Sequence, residues 1–183
     1  MKFKILAASL CVAALGMGTA NADHGPTNVG GASMLPERNI IENAINSGDH
    51  KTLVAAVKAA GLVEVLQGEG PFTVFAPVDA AFDRLPEGTV DTLLQPENLE
   101  QLQTVLTYHV VPGNLTREDL QDALMDNDGA VSFETVQGNR LTVMPNGNNL
   151  MIMDAQGNSA NITLVDVAQD NGVIHVIDRV LMP

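Results

Sequence analysis

The sequence predicts an α+β domain, and two successive patterns carry that expectation. Through the first half, apolar side chains recur at the spacing of helices that bury one face, as in "NIIENAINSGDHKTLVAAVKAAGLVEVLQG" (39–68). In the last third the period shortens to that of strands, with turn dipeptides at Gly138-Asn139, Asn146-Gly147, Gly157-Asn158 and Asn171-Gly172. Helices gathered ahead of a strand meander argue for α+β rather than for alternating parallel units.

The N-terminus reads as an export signal. "MKFK" carries two lysines, "ILAASLCVAALGM" is an apolar run of 13 residues, and small residues, Ala20 and Ala22, stand where a signal peptidase reads. The run is too short for a membrane span. Cleavage after Ala22 leaves 161 of the 183 residues, the length of one domain. Cys11 leaves with the signal, so the remaining chain has neither disulfide nor thiolate chemistry. Residues 23–36, "DHGPTNVGGASMLP", show no periodicity and are expected to form a flexible leader, with the domain proper at 37–183. Asp23-His24 at a new N-terminus lacks the further ligands of a metal site.

The elements follow in order. Ile40, Ile41, Ala44 and Ile45 share one face of a first helix. Asp49 is placed to cap a second, with Leu53, Val57 and Ala60 on its buried face and Gly61 at its end. "LVEVLQ" forms a short third. After the Gly70-Pro71 turn, "FTVFA" is a strand by its β-branched and aromatic content. Pro77 ends it, Asp79 is expected to cap a short helix carrying Val78, Phe82 and Leu85, and Pro86 stops that helix. Phe72, Phe75 and Phe82 concentrate the aromatic mass here, so the core is expected to organise around them. "EGTVDTLL" and "PENLEQLQTVLT" are two more helices, the second opened by Pro96. Thr116 to Asp119 has the spacing of a capping box and starts "TREDLQDALM". Five strands complete the chain.

Charge narrows the function. The formal net charge is −13, and removal of Lys2 and Lys4 leaves seven basic residues against 22 acidic ones. Nucleic acid and anionic membrane surfaces are poor partners for such a body. The acids are scattered, as on a solvated surface.

Three stretches, "TVFAPVDAAFDRLP" (73–86), "LTYHVVPG" (106–113) and "NGVIHVIDRVLMP" (171–183), together resemble the motifs of the fasciclin, or FAS1, domain in order and spacing. The resemblance covers about residues 37–183. It implies a FAS1 fold, a twisted β-wedge of about seven strands with a cluster of short helices packed on it. It also implies an extracytoplasmic module of adhesion and matrix contact. One departure stands in the first motif: Val78 replaces the family's usual threonine, which leaves Asp79 to cap the helix alone.

The resemblance links the Tyr-His pair to adhesion, and here the pair maps to Tyr108 and His109, followed by Val110 and Val111. Read as an extended segment, Tyr108 and Val110 face one way and His109 and Val111 the other, with both faces covered. The expected role is therefore mainly structural, with His109 bonding near the first motif, at Asp79. A second adhesion motif of some relatives maps to "LVDVA" (164–168). There Asp166 and Val167 fit but Leu164 and Val165 do not, so an ordinary strand with an exposed Asp166 is expected. Phe75, Pro77, Asp79, Phe82 and His175 are motif positions with structural roles, His175 as a core histidine.

Metal and catalytic readings find little support. His109 and His175 without cysteine or a placed carboxylate make a poor zinc site. Met151 and Met153, with Met144 across the turn, could hold Cu(I), yet methionines sharing a strand face are more simply core filler. "DNDG" (126–129) lacks the flanking acids of an EF-hand loop. No Gly-x-Ser-x-Gly or His-Glu-x-x-His pattern occurs.

The sequence thus points to a non-enzymatic, cofactor-free secreted or periplasmic module that meets a cell-surface or matrix protein or glycan. The alternative is a carrier of an apolar small molecule, such as a carotenoid or lipid, between sheet and helices.

Overall fold

A computed structural model of the protein describes residues 25–183. The expected export signal and Asp23-His24 lie outside them. In chain order the elements are β1 (Thr27–Val29), β2 (Ala32–Met34), α1 (Ile40–Asn46), α2 (Lys51–Ala59), α3 (Val63–Leu66), β3 (Phe72–Pro77), α4 (Asp79–Phe82) and α5 (Thr89–Leu93). A 3-10 turn at Pro96–Asn98 leads into α6 (Leu99–Tyr108), β4 (Val110–Pro112) and α7 (Arg117–Asp126). The meander is β5 (Val131–Glu134), β6 (Arg140–Asn146), β7 (Asn149–Met153), β8 (Ser159–Gln169) and β9 (Gly172–Ile177). This is the α+β arrangement the patterning predicts.

Seven strands form one sheet in the order β4-β3-β9-β8-β7-β6-β5. All pairs are antiparallel except β3 with β9, which run parallel from Phe72 beside Gly172 to Pro77 beside Ile177. A Cβ on Gly172 would collide with the Phe72 carbonyl, so only glycine can start this pairing. The sheet curls until its two ends meet, where the Val136 amide donates to the Val110 carbonyl at 2.8 Å.

The parallel pair lies between two apolar clusters. Val74, Ala76, Ile174 and Val176 face one way, against Ile40 and Ile41 of α1, Leu53 and Val57 of α2, and Leu102 and Leu106 of α6. Phe75 and Ile177 face the other way, into the curled sheet with Leu141, Val143, Ile152 and Leu120. Burial on both faces explains why "FTVFAP" and "GVIHVI" read as nearly unbroken apolar runs. Of the three phenylalanines expected to organise the core, Phe75 is fully buried, whereas Phe72 and Phe82 are half-buried at its margin.

Several local expectations are corrected. The stretch 23–36 is not wholly a leader: β1 and β2 form a hairpin whose Val29 and Met34 are buried against the helices. Ile45 turns outward, and Asn43 takes the buried position on α1 instead. Met144, Met151 and Met153 are not core filler; Leu141, Val143, Leu150 and Ile152 fill the core, and the methionines lie half-buried on the opposite face.

The capping of α2 and α4 also differs. Val78 is the N-cap of α4 and makes no side-chain cap bond, so Asp79 does not cap its own helix. Its carboxylate instead accepts from the Thr52 amide at 2.8 Å and the Lys51 amide at 3.3 Å, the first free donors of α2. Asp49, expected to cap α2, contributes its carbonyl, which accepts from the Asp79 amide at 2.7 Å. The cap is thus supplied from 27 residues away in sequence and ties α2 to the end of β3. The capping box at Thr116 and Asp119 forms as expected.

Asp79→Ala is expected to lower stability by about 0.5–2 kcal/mol, the usual cost of losing a side-chain N-cap, with Asp79→Asn closer to the parent. Urea unfolding of the two variants checks this, and an unchanged midpoint for Asp79→Ala would remove the cap from the account.

Candidate functional site

The Tyr-His pair sits where a helix gives way to a strand. Tyr108 is the last residue of α6, and His109 is its C-cap with helical backbone angles. The extended reading of this pair therefore fails: the valines that follow are strand, but the pair itself is still helix. Both side chains are nonetheless buried, Tyr108 to 0% exposure and His109 to 2%.

Each polar atom of the pair is satisfied inside the molecule. The Tyr108 hydroxyl donates to the Arg140 carbonyl at 2.8 Å and accepts from the Ala155 amide at 2.9 Å. Burial pushes this phenol's pKa up. His109 Nδ1 lies 2.7 Å from the Val105 carbonyl, one turn back in α6, and Nε2 accepts from the Leu181 amide at 3.0 Å. Those partners define a neutral ring with its proton on Nδ1. Burial drives its pKa down to about 4. The expected bond from His109 to Asp79 is not made, since Asp79 is engaged with α2.

Val110 and Val111 are buried on opposite faces of β4, Val110 with the helices and Val111 inside the curled sheet. His175 is the core histidine expected: its ring stacks on Phe75 with centroids 5.6 Å apart. Its Nε2 is 2.8 Å from the Leu115 carbonyl, and its Nδ1 accepts from the Asp166 amide at 3.3 Å. Burial lowers its pKa as well. Pro77 closes the parallel pairing opposite Ile177.

Asp166 departs from the ordinary exposed strand position. It lies in a bulge of β8 with φ of 56°, where the register slips between Leu164 and Val167. That turn aims its carboxylate at the start of α7, where Oδ1 accepts from the Arg117 amide at 2.6 Å. Val167 beside it is fully buried. Five of the six candidate interaction residues are buried at the joints between α6, β4 and β8, while Asp166, half-buried where β8 meets α7, also lines a surface groove.

Two buried polar groupings have no local mark in the sequence. Asp154 accepts from the Gln156 and Asn158 amides and, through Oδ2, from the Met182 amide at 3.1 Å, fixing the C-terminal tail beside Tyr108. Asn43, Gln169 and Asn171 link α1 to the β8–β9 turn: Asn43 Nδ2 donates to Gln169, and Asn171 Oδ1 accepts from the Ile40 amide. The asparagine of "DNG" signalled a turn, but nothing local marks its reach of 131 residues to Ile40.

Among the described residues, no three His, Cys, Asp or Glu side chains gather as a metal site would require. A groove of about 240 Å³ opens among the described residues beside Pro71, Thr116, Asp166 and Gly172, and two larger ones are open at the surface. One, of about 700 Å³, runs between α5, α6 and the C-terminal tail, past Thr92, Gln101 and Met182. The other, of about 770 Å³, lies beside the end of α7, between Met125 and Asn148. The space between helices and sheet is apolar, lined by Ile41, Leu53, Val74 and Leu106 among others, and holds only about 30 Å³.

The family model of the Fasciclin domain matches residues 48–183. Protein sll1483 of Synechocystis sp. is 46% identical over 144 residues, which cover 79% of this chain and 73% of that protein. Cell surface glycolipoprotein MPB83 of Mycobacterium bovis is 34% identical over 175 residues, covering 92% and 72% respectively. A solved FAS1 domain pair from the insect cell adhesion molecule Fasciclin I superposes with a TM-score of 0.55 at 22% identity. The match takes in 72% of this chain and 44% of that one, so the chain spans less than half of the two-domain structure.

The buried histidines set a pH dependence. His109 folds with a pKa near 4 against an unfolded value of 6.5, so the unfolded chain binds more protons between those limits. Stability is fully present above about pH 6.5 and falls on acidification toward 4, by at most about 1.4 kcal/mol per pH unit for this one group. His50 and His175, also lowered, act with the same sign. Urea midpoints measured from pH 7 to pH 4.5 should fall steadily, and less steeply in His109→Gln; equal slopes in parent and variant would show that His109 takes no part.

Proposed function

The chain belongs to the fasciclin domain family, and on that premise we propose that it is a secreted or periplasmic interaction module, contacting a cell-surface or matrix protein or glycan through its outer surface. The observation that carries this reading is the fasciclin match over residues 48–183 beside a relative named for the cell surface; the internal use of Tyr108 and His109 bears on which part of the surface makes contact. With 0% and 2% exposure and every polar atom bonded within the chain, the pair supports contact through the surface around it rather than through its own side chains. The related glycolipoprotein of M. bovis carries cell surface in its name, which supports placement outside the cytoplasm for this chain too. No helix of the described residues is long and apolar enough to cross a membrane.

Adhesion needs no reacting group. It needs a rigid body whose loops hold their shape, and the tethering of α6, β6 and the C-terminal tail through one buried pair supplies that rigidity. With 22 acidic residues on the chain, partners bearing basic or neutral polar faces are favoured over anionic ones.

The carrier reading has an apolar place available between sheet and helices. Its room of about 30 Å³ is that of a single water molecule, far below the several hundred Å³ of a small-molecule site. An isoprenoid or acyl chain would have to part α1 and α2 from the sheet to enter.

The two readings separate experimentally. Protein purified from its native source should be colourless, free of copurified lipid in native mass spectrometry, and retained by the native envelope in a pull-down; visible absorption bands would favour the carrier. Replacing Tyr108 and His109 together by Ala is expected to lower the unfolding midpoint and envelope binding in step. Loss of binding at an unchanged midpoint would mean that the pair meets the partner directly.

A further inference from the structure

The outer face of the sheet carries one chemical feature that neither the core nor the Tyr-His joint explains. Met144 on β6 stands directly opposite Met151 on β7, and Met153 follows two residues along the same strand, on the same face. All three are half-buried, while the alternate residues Leu141, Val143, Leu150 and Ile152 supply the core. Helix α7 packs on the core side of these strands through Leu120 and Leu124, so the methionines look away from it. Core filling, the ordinary reason for methionine on a strand, therefore does not account for them.

We infer that Met144, Met151 and Met153 form a thioether site for a soft monovalent cation of the Cu(I) class. Opposed residues on antiparallel strands hold their Cβ atoms about 4.5–5.5 Å apart, and residues two apart on a strand are separated by about 7 Å. Unbranched methionine side chains with free torsions span those gaps, so three sulfurs can meet above β7. Thioethers are soft ligands that select Cu(I) over the hard and borderline ions that carboxylate and imidazole prefer. The sulfur set also needs no thiolate, which suits a chain whose only cysteine is Cys11.

The surroundings are compatible with a cation. Met151 is flanked by Asn161 and Met153 by Thr142 and Ser159, all uncharged. The charged groups of this face stand further along. Arg140 is opposite Glu134, and Asp178 accepts from Asn161 while pairing with Arg84 at 3.3 Å. The half-burial of the three methionines also withdraws the site from bulk water, which favours soft ligands over hydration.

Silver(I), a stable stand-in for Cu(I), tests the site directly. Protein with 13C-labelled methionine methyl groups is titrated with silver nitrate in chloride-free buffer. The Met144, Met151 and Met153 signals should shift together and saturate at one ion per chain, while Met34, Met125 and Met182 stay in place. Met151→Leu conserves volume and should fold normally. It should weaken silver binding by at least the roughly tenfold that losing even an outer-shell partner costs a metal site. An absence of binding, an equal response from all the methionines, or parent-like affinity in Met151→Leu would each overturn the inference.

Discussion

The parallel pairing of β3 with β9 is the constraint on which the rest of this molecule hangs. It joins residues a hundred positions apart, Phe72 with Gly172, and buries both strands between two cores. Such a pairing cannot form from a local turn, because parallel strands need a long crossover. Here the crossover is everything from α4 to β8. Once made, it fixes where the helices dock on one side and where the meander curls on the other. The Tyr-His joint belongs to this frame: β4 pairs with β3, and the two side chains reach from the end of α6 into the meander and the C-terminal tail.

Polar groups reinforce the frame at its seams. Asp79 caps α2 from the end of β3, Asp166 reaches α7 from the bulge of β8, and Asp154 holds the tail. Each carboxylate answers backbone amides that would otherwise lie unpaired at a helix start or in a turn. One buried group stays outside this pattern. His50 bonds Ser47 through Nδ1, but its Nε2 has no hydrogen-bond partner although the residue is buried. Burial keeps its pKa low despite nearby Asp49 and Asp79.

Much of this was legible in the sequence. The order of the helices, the β3 strand and the five strands of the meander follow from periodicity and turn dipeptides, because those signals are local. What failed was nonlocal or depended on where an element ends. Tyr108 and His109 looked extended because Val110 and Val111 follow them, yet helix α6 runs through Tyr108. Asp79 matched the pattern of a local cap, and nothing in its neighbourhood could reveal that α2 presents its amides to it. Alternation alone puts Asp166 on an exposed strand face, but a bulge breaks the alternation of β8 there. The hairpin at 27–34 had a readable cue in Gly30-Gly31 between two short runs, outweighed by the loop-like composition around it.

The meeting of the two sheet ends has a consequence for life at high density. Exposed strand edges invite neighbouring copies to add on and grow into fibrils. Here β4 and β5 are short, and the bond from Val136 to Val110 occupies the seam between them. The seam of the seven-stranded sheet therefore leaves little free strand edge on which a crowded neighbour could extend the ladder.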